Sequence, residues 1–209
     1  YFLDTKVDPN PQWAQDLTDY LYMGDRISQE IILGIGGLRA LQALELNIER
    51  YHMNEGHSCF LTLELYKHLG QTIGWDDGLV KEKCIFTTHT PIPAGHDQFE
   101  YSLFEEKLKG EPNIIPFHIK KLAGEDKLNT TRLALGLSSF HNAVSRKHCE
   151  ITKDMFPEYT INYITNGVHA PSWTNIYLAR CFDQNIPDWR KDSTLLKSAN
   201  KIPNSEIYK

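Results

Sequence analysis

Short apolar runs rich in β-branched and aromatic residues alternate along this chain with longer stretches in which apolar positions recur every three or four residues. Residues 48–53, 84–88 and 160–164 are runs of the first kind, each closed by polar or turn-forming residues, and they predict strands. Residues 1–5 predict a further buried strand, and 143–145 a brief one. The helical period is carried first by Trp13, Leu17, Tyr20 and Leu21, predicting a helix over 13–21. After a break at Met23-Gly24-Asp25, Ile27, Ile31, Ile32, Ile35, Leu38 and Leu41 predict a longer helix over 27–46. Helices are also predicted over 57–69, 75–83, 99–108, 131–137 and 146–156, with a loop over 110–116. From 173 onward the chain reads as helical to its end, with interruptions at Pro187 and Pro203. Alternation of this kind predicts an α/β fold, with a parallel sheet and helices on both faces. The first residue is Tyr1 rather than Met, and the strand that begins there has no partner before it. The chain is therefore expected to be part of a larger protein.

Three of the predicted strands run into polar turns. The first junction is Tyr51-His52-Met53-Asn54-Glu55-Gly56-His57-Ser58. The second is Phe86-Thr87-Thr88-His89-Thr90-Pro91-Ile92-Pro93-Ala94-Gly95-His96-Asp97, and the third ends in Thr165-Asn166-Gly167-Val168-His169. In open α/β sheets, ligands sit beyond the carboxyl ends of strands, so polar residues gathered there are candidates for chemistry. Asn54, Glu55, His57, His89, Asp97, Asn166 and His169 suit a sugar, which offers many hydroxyls and little charge. A site built to pair hydroxyls rejects ligands lacking them, because each buried group left unpaired costs on the order of 1–3 kcal/mol. Taken singly these residues also have plainer readings. Asn54 or Ser58 could cap the following helix, and Asn166-Gly167 is an ordinary turn.

Charge and composition narrow the partners. The chain has 209 residues, enough for one α/β domain or most of two small ones, and its net charge is −5. It therefore has no basic footprint for nucleic acid or an anionic membrane. Cys59, Cys84, Cys149 and Cys181 are scattered without paired spacing, which predicts reduced, buried thiols rather than disulfides or a zinc site. No run approaches a membrane span and no signal peptide opens the chain, so a cytoplasmic location is expected.

Other motifs carry less. Gly34-Ile35-Gly36-Gly37 lies inside a helical pattern rather than after a strand, so close helix packing is expected of it and not phosphate binding. His52 and His57, with Glu55, are five apart across a strand-to-helix junction, whereas helical metal-binding histidines are four apart, so no metal is expected. Asp76-Asp77 reads as a solvated turn, and His68, His118 and His141 as structural or surface residues.

The three junctions resemble those of α-glucan (glycogen, starch, maltodextrin) phosphorylases, with the greatest similarity to the shorter bacterial and archaeal type. Leu21-Tyr22-Met23-Gly24-Asp25, the stretch from Arg26 to Gly37, Asn142-Ala143-Val144-Ser145-Arg146-Lys147-His148 and Ile202-Pro203-Asn204-Ser205-Glu206-Ile207 extend the resemblance over nearly the whole chain, in order. It implies a B-type glycosyltransferase fold of two Rossmann-like domains facing across a cleft. Residues 1–165 would be the later half of the first domain, and 166–209 the crossover and start of the second, both incomplete. The implied reaction is reversible phosphorolysis of terminal α-1,4-linked glucose from glucan or maltodextrin, giving glucose 1-phosphate with retained configuration.

By the same resemblance, His89 and Asn166 would contact the 6-hydroxyl of the glucosyl unit, with His89 as the catalytic candidate. His57, Asn54 and Glu55 would lie beside the pocket, and Asp25 would sit on a mobile gating loop. Met23-Gly24-Asp25-Arg26 enters its helix with less intervening sequence than the family pattern has. Inorganic phosphate would supply the acid that glucosyl transfer through an oxocarbenium-like state requires. The family's pyridoxal phosphate would assist, held by a lysine outside this chain, so no cofactor-binding residue is expected here. The full-length protein would be a homodimer, and the isolated chain is expected to be inactive. Two alternatives stay open: a catalytically silent glucan-binding or regulatory module, and a B-type glycosyltransferase that uses a nucleotide sugar.

Overall fold

In the computed structural model, which describes residues 2–20, 23–70, 75–111 and 114–207, the apolar runs pair side by side in one direction. β1 (Tyr51–Asn54) lies parallel to β2 (Cys84–Thr88), with Tyr51 opposite Cys84 and Asn54 opposite Thr87. β5 (Phe140–Ala143) lies parallel to β2 on its other side, and β6 (Asn162–Tyr163) parallel to β5, giving a four-stranded sheet in the order β1-β2-β5-β6. β3 (Gln98–Phe99) and β4 (Leu128–Asn129) form a separate antiparallel pair. Met53 and Phe86 face each other in register and are fully buried, as apolar residues on a covered sheet face should be.

Helices connect and flank the strands, as parallel pairing requires. They are, in chain order, α1 (Gln12–Gln15), α2 (Arg26–Ile31), α3 (Gly37–Ala43), α4 (Leu61–Gly70), α5 (Asp77–Lys83), α6 (Tyr101–Leu108), α7 (Ile119–Ala123), α8 (Thr130–Gly136) and α9 (Arg146–Met155). These elements belong to one compact unit, Tyr1–Thr165. A second unit, Asn166–Lys209, contains α10 (Ala170–Trp173), α11 (Ile176–Asn185), a 3₁₀ stretch Ser193–Lys201 and α12 (Asn204–Ile207). Its core is a small cluster of Ala179, Cys181, Ile186, Trp189 and Ile202. Trp189 is buried, and its ring N–H donates to Asp183 Oδ1 at 2.9 Å.

The helix expected over 27–46 is interrupted by a π turn, Ile32–Gly36, between α2 and α3. The wider turn takes up one extra residue, so that Ile27 and Glu30 before it and Leu38 after it are all buried. Gly34 sits there because the start of α4 passes too closely for a side chain. A Cβ at this position would stand 2.7 Å from the Leu61 nitrogen and 2.9 Å from the Phe60 carbonyl carbon. Close packing is thus what Gly34 of the Gly34-Ile35-Gly36-Gly37 motif does in the fold, while Gly36 and Gly37 make only ordinary contacts.

Four further expectations change. Residues 2–5 form no strand, and Phe2 is fully exposed. Their backbone turns to local partners instead, with Thr5 N–H donating to Thr18 Oγ1 at 3.2 Å. The strand expected at 160–164 shortens to β6, and the brief strand expected at 143–145 falls earlier, as β5. Asp76-Asp77 is also more than a solvated turn. Asp76 caps α5, while Asp77 accepts hydrogen bonds from the Tyr66 hydroxyl and, at 2.8 Å, from His118 Nε2. Tyr1, Leu21, Tyr22, 112–113 and 208–209, which fall in expected elements or motifs, lie outside the described residues. The four cysteines are free and buried. No helix among the described residues is long and apolar enough to cross a membrane.

Candidate functional site

Because the four strands are parallel, their carboxyl ends share one edge of the sheet, and the register brings Asn54 level with Thr87 and Thr88 level with Ala143. The ladder continues one residue beyond β1, where Glu55 N–H donates to the Thr87 carbonyl at 2.8 Å. Glu55 then turns with φ of +67°, the left-handed region that non-glycine residues seldom occupy. Its side chain is buried, at 7% exposure, and reaches across to the chain leaving β2. Glu55 Oε2 accepts from His89 N–H at 2.8 Å and from Thr90 Oγ1 at 2.7 Å. His89 is itself exposed. The residue after β1 therefore anchors the main chain of the residue after β2.

The other end of the same turn meets a charged cluster. Arg26, the first residue of α2, places Nη2 2.9 Å from Glu30 Oε1, 2.8 Å from Asp97 Oδ2 and 3.2 Å from His57 Nδ1. His57 Nδ1 also lies 3.5 Å from Glu30 Oε1 and 3.4 Å from Asp97 Oδ2. Glu30 is 1% exposed, and this burial pushes its carboxyl up to about 7. Hydrogen bonding to Asp97 and then Glu30 lifts the His57 imidazole to about 9, against the opposing effects of burial and of Arg26. Asp97 is held well below the usual carboxylate range, chiefly by His57. With Nδ1 facing two carboxylates, the proton belongs on Nδ1, and the Arg26 contact at 3.2 Å is then a neighbour rather than a donor to it.

Glu30, His57 and Asp97 present ligand atoms within 4.8 Å of one another, close enough to hold a cation. The Arg26 guanidinium occupies that position, so the arrangement is an ion-pair cluster. The zinc-like grouping of His52, His57 and Glu55 does not assemble, since each turns to a different partner. His52 Nε2 lies 2.7 Å from Thr87 Oγ1, which donates to Asn142 Oδ1 at 2.9 Å, forming a polar ladder across three strands.

No protein-family model matches the chain. Over its whole length it aligns at 35% identity with the maltodextrin phosphorylase of Thermococcus litoralis, of which it covers 28%. It also aligns over its whole length at 29% with the glycogen phosphorylase of Aquifex aeolicus, covering 34% of that protein. With the glycogen phosphorylase of Mycobacterium tuberculosis the identity is 35% over 82% of this chain and 24% of the relative. The chain belongs to the α-glucan phosphorylase family. It spans between about a quarter and a third of the length of these relatives.

Within this phosphorylase segment the expected site residues divide. His89, Glu55, His57 and Asp97 are joined by the anchor and the cluster just described. Asn54 ends β1 and is exposed. Asp25 caps α2, accepting from Ser28 N–H at 3.2 Å and Ser28 Oγ at 2.8 Å, and it also pairs with Lys107. Burial pushes its carboxyl up, but the bonds from Lys107 and Ser28 outweigh this and hold it below the usual range. Asn166 opens the second unit, exposed, and His169 Nδ1 lies 2.6 Å from Ser172 Oγ. The sequence reading overlooked Arg26, Glu30 and Thr90. Glu30 had a signal, since it falls on the buried stripe between Ile27 and Leu38, where a carboxylate needs a partner. The segments 54–58, 89–97 and 164–169 contain neither lysine nor arginine. They therefore offer no amine for a pyridoxal aldehyde, and the cation beside them, Arg26, is engaged by Glu30 and Asp97, so the residues present do not fit that cofactor.

Proposed function

We propose that this chain is the glucose-facing portion of an α-glucan phosphorylase, which releases glucose 1-phosphate from α-1,4-glucan or maltodextrin by reversible phosphorolysis. The observation that carries the reading is the His89 turn. An exposed imidazole stands at the carboxyl end of β2, its backbone anchored by the residue that follows β1, in a chain homologous to maltodextrin phosphorylase along its whole length. In the reaction, the bond from C1 of the terminal glucose to the glycosidic oxygen breaks. An oxygen of inorganic phosphate forms the new bond to C1, and a phosphate proton passes to the departing oxygen. The transition state has oxocarbenium character. An uncharged sugar must be held through it by its hydroxyls, and His89 and Asn166 serve as contacts to the 6-hydroxyl, with His57 and Asn54 beside the pocket.

Residues 1–165 and 166–209 are read as parts of the first and second Rossmann-like domains. Pyridoxal phosphate, with the lysine that holds it, comes from sequence outside this chain. The test is an assay of the full-length protein with maltoheptaose and inorganic phosphate. Phosphate-dependent formation of glucose 1-phosphate is expected, and transfer from a nucleotide sugar in its place would overturn the reading. The isolated chain is expected to form none, and detectable product from it would overturn that part.

A further inference from the structure

The geometry points to Glu55 as the residue that positions His89, not as one that touches sugar; this inference rests on the phosphorylase reading above. Thr88 is the last residue of β2 in the ladder, so His89 N–H is the first main-chain donor beyond the sheet. Glu55 Oε2 takes that donor and the Thr90 hydroxyl together. A carboxylate accepting from a main-chain N–H makes a charge-assisted bond with a fixed direction. The direction of the His89 N–H fixes the backbone plane, and the plane fixes where the imidazole can go. Glu55 adopts a left-handed φ to make this reach, the kind of local strain that persists where the surroundings over-determine it.

The carboxylate's other oxygen, Oε1, is buried and has no hydrogen-bond partner among the described residues. The anchor thus rests on Oε2 alone, and one correctly placed neutral acceptor could replace it. The far end of the turn is independently fixed. Asp97 accepts from Arg26 through its side chain, and its carbonyl accepts from Thr130 N–H at 3.1 Å. With Asp97 held, Glu55 sets the remaining freedom of the turn at His89.

The test uses the full-length protein with Glu55→Gln, Glu55→Asp and Glu55→Ala. Glu55→Gln retains an acceptor at the same reach and is expected to lose no more than about threefold in kcat. Glu55→Asp is one methylene short. It and Glu55→Ala are expected to lose about a hundredfold in kcat, the scale of a misplacement of about 1 Å. KM for phosphate should move less than about threefold in all of them. Hydrogen exchange read by mass spectrometry supplies a second measurement that needs no activity. In Glu55→Ala, exchange should accelerate over 88–97 and stay slow over 84–87.

Loss in Glu55→Gln equal to that in Glu55→Ala would overturn the proposal, because the charge itself would then be acting on substrate. Unchanged kcat in Glu55→Ala, or exchange accelerated throughout the sheet, would overturn it as well. If the wild-type protein shows no phosphorolysis, the functional reading fails while the exchange measurement still decides the anchor.

Discussion

At its start the 89–97 turn is held by one carboxylate that accepts two hydrogen bonds; at its end it is held by a guanidinium shared between two carboxylates that an imidazole also faces. The donors at the first anchor are neutral, an amide and a hydroxyl, and they need only an oxygen in the right place. At the second, the partners are charges gathered around a buried carboxylate, Glu30, with Arg26, His57 and Asp97 partly exposed about it. Their mutual attraction offsets the cost of burial only while the set is complete. The two ends of one turn should therefore fail differently, the first in geometry and the second in charge balance.

The largest effect is expected from Arg26→Met. It leaves the His57 imidazolium alone to face both Glu30 and Asp97, and breaking the pair that Arg26 makes with buried Glu30 costs about 3–5 kcal/mol. Urea unfolding followed by tryptophan fluorescence would measure it, and a loss below about 1 kcal/mol would mean that the cluster is not charge-balanced by Arg26.

The next test is pH, and the sign follows from the folded values. Glu30, raised to about 7 from 4.5, contributes stability that is complete below about pH 4.5 and is lost as pH rises through 7. His57, raised to about 9 from 6.5, contributes stability that is complete below 6.5 and is lost on the way to 9. Asp97, being lowered, acts in the opposite sense and loses its contribution only as pH falls below its usual range. Stability should thus decline from about pH 4.5 to 9, and Glu30→Gln should flatten the part below 7. An unaltered pH profile in Glu30→Gln would assign the decline to other groups.

Smaller effects are expected at the neutral anchor. Glu55→Ala leaves the His89 amide and Thr90 hydroxyl unpaired and should cost about 1–3 kcal/mol. Thr90→Val removes one of the two bonds and should cost about 0.5–1.5 kcal/mol. In the double variant Glu55→Ala/Thr90→Val the losses should not add, because the second substitution removes a partner already lost. Additive losses would mean that the two residues act separately.

What could be read from sequence follows the range of the forces involved. The strand at 84–88, the helix at 146–156 and the strand-end turns were legible because alternation, period and turn chemistry are local. The strand expected at 1–5 was not formed because a strand needs a neighbour, and no local pattern supplies one. The π turn at Ile32–Gly36 was hidden because the apolar stripe on either side of it keeps the same face. In the site, the pattern could mark Glu55 and His89 as polar residues at strand ends. It could not show that one carboxylate holds the other's backbone, since 34 residues separate them and only the parallel register brings them level. Arg26 was overlooked for the same reason, its partner Asp97 lying 71 residues away.

The π turn also bears on which changes of chain length this helix can absorb. An α-helix advances about 100° per residue, so a deletion within α2 would swing Arg26 away from the buried face that carries Leu38. Within Ile32–Gly36 the surplus residue is already accommodated, and losing Gly36, where a Cβ would meet no closer atom than Ile32 Cγ2 at 3.9 Å, would return the turn to α geometry with both flanks still in phase. Insertions and deletions among homologous chains should therefore gather at this point of the helix, leaving the phase between Arg26 and Leu38 untouched.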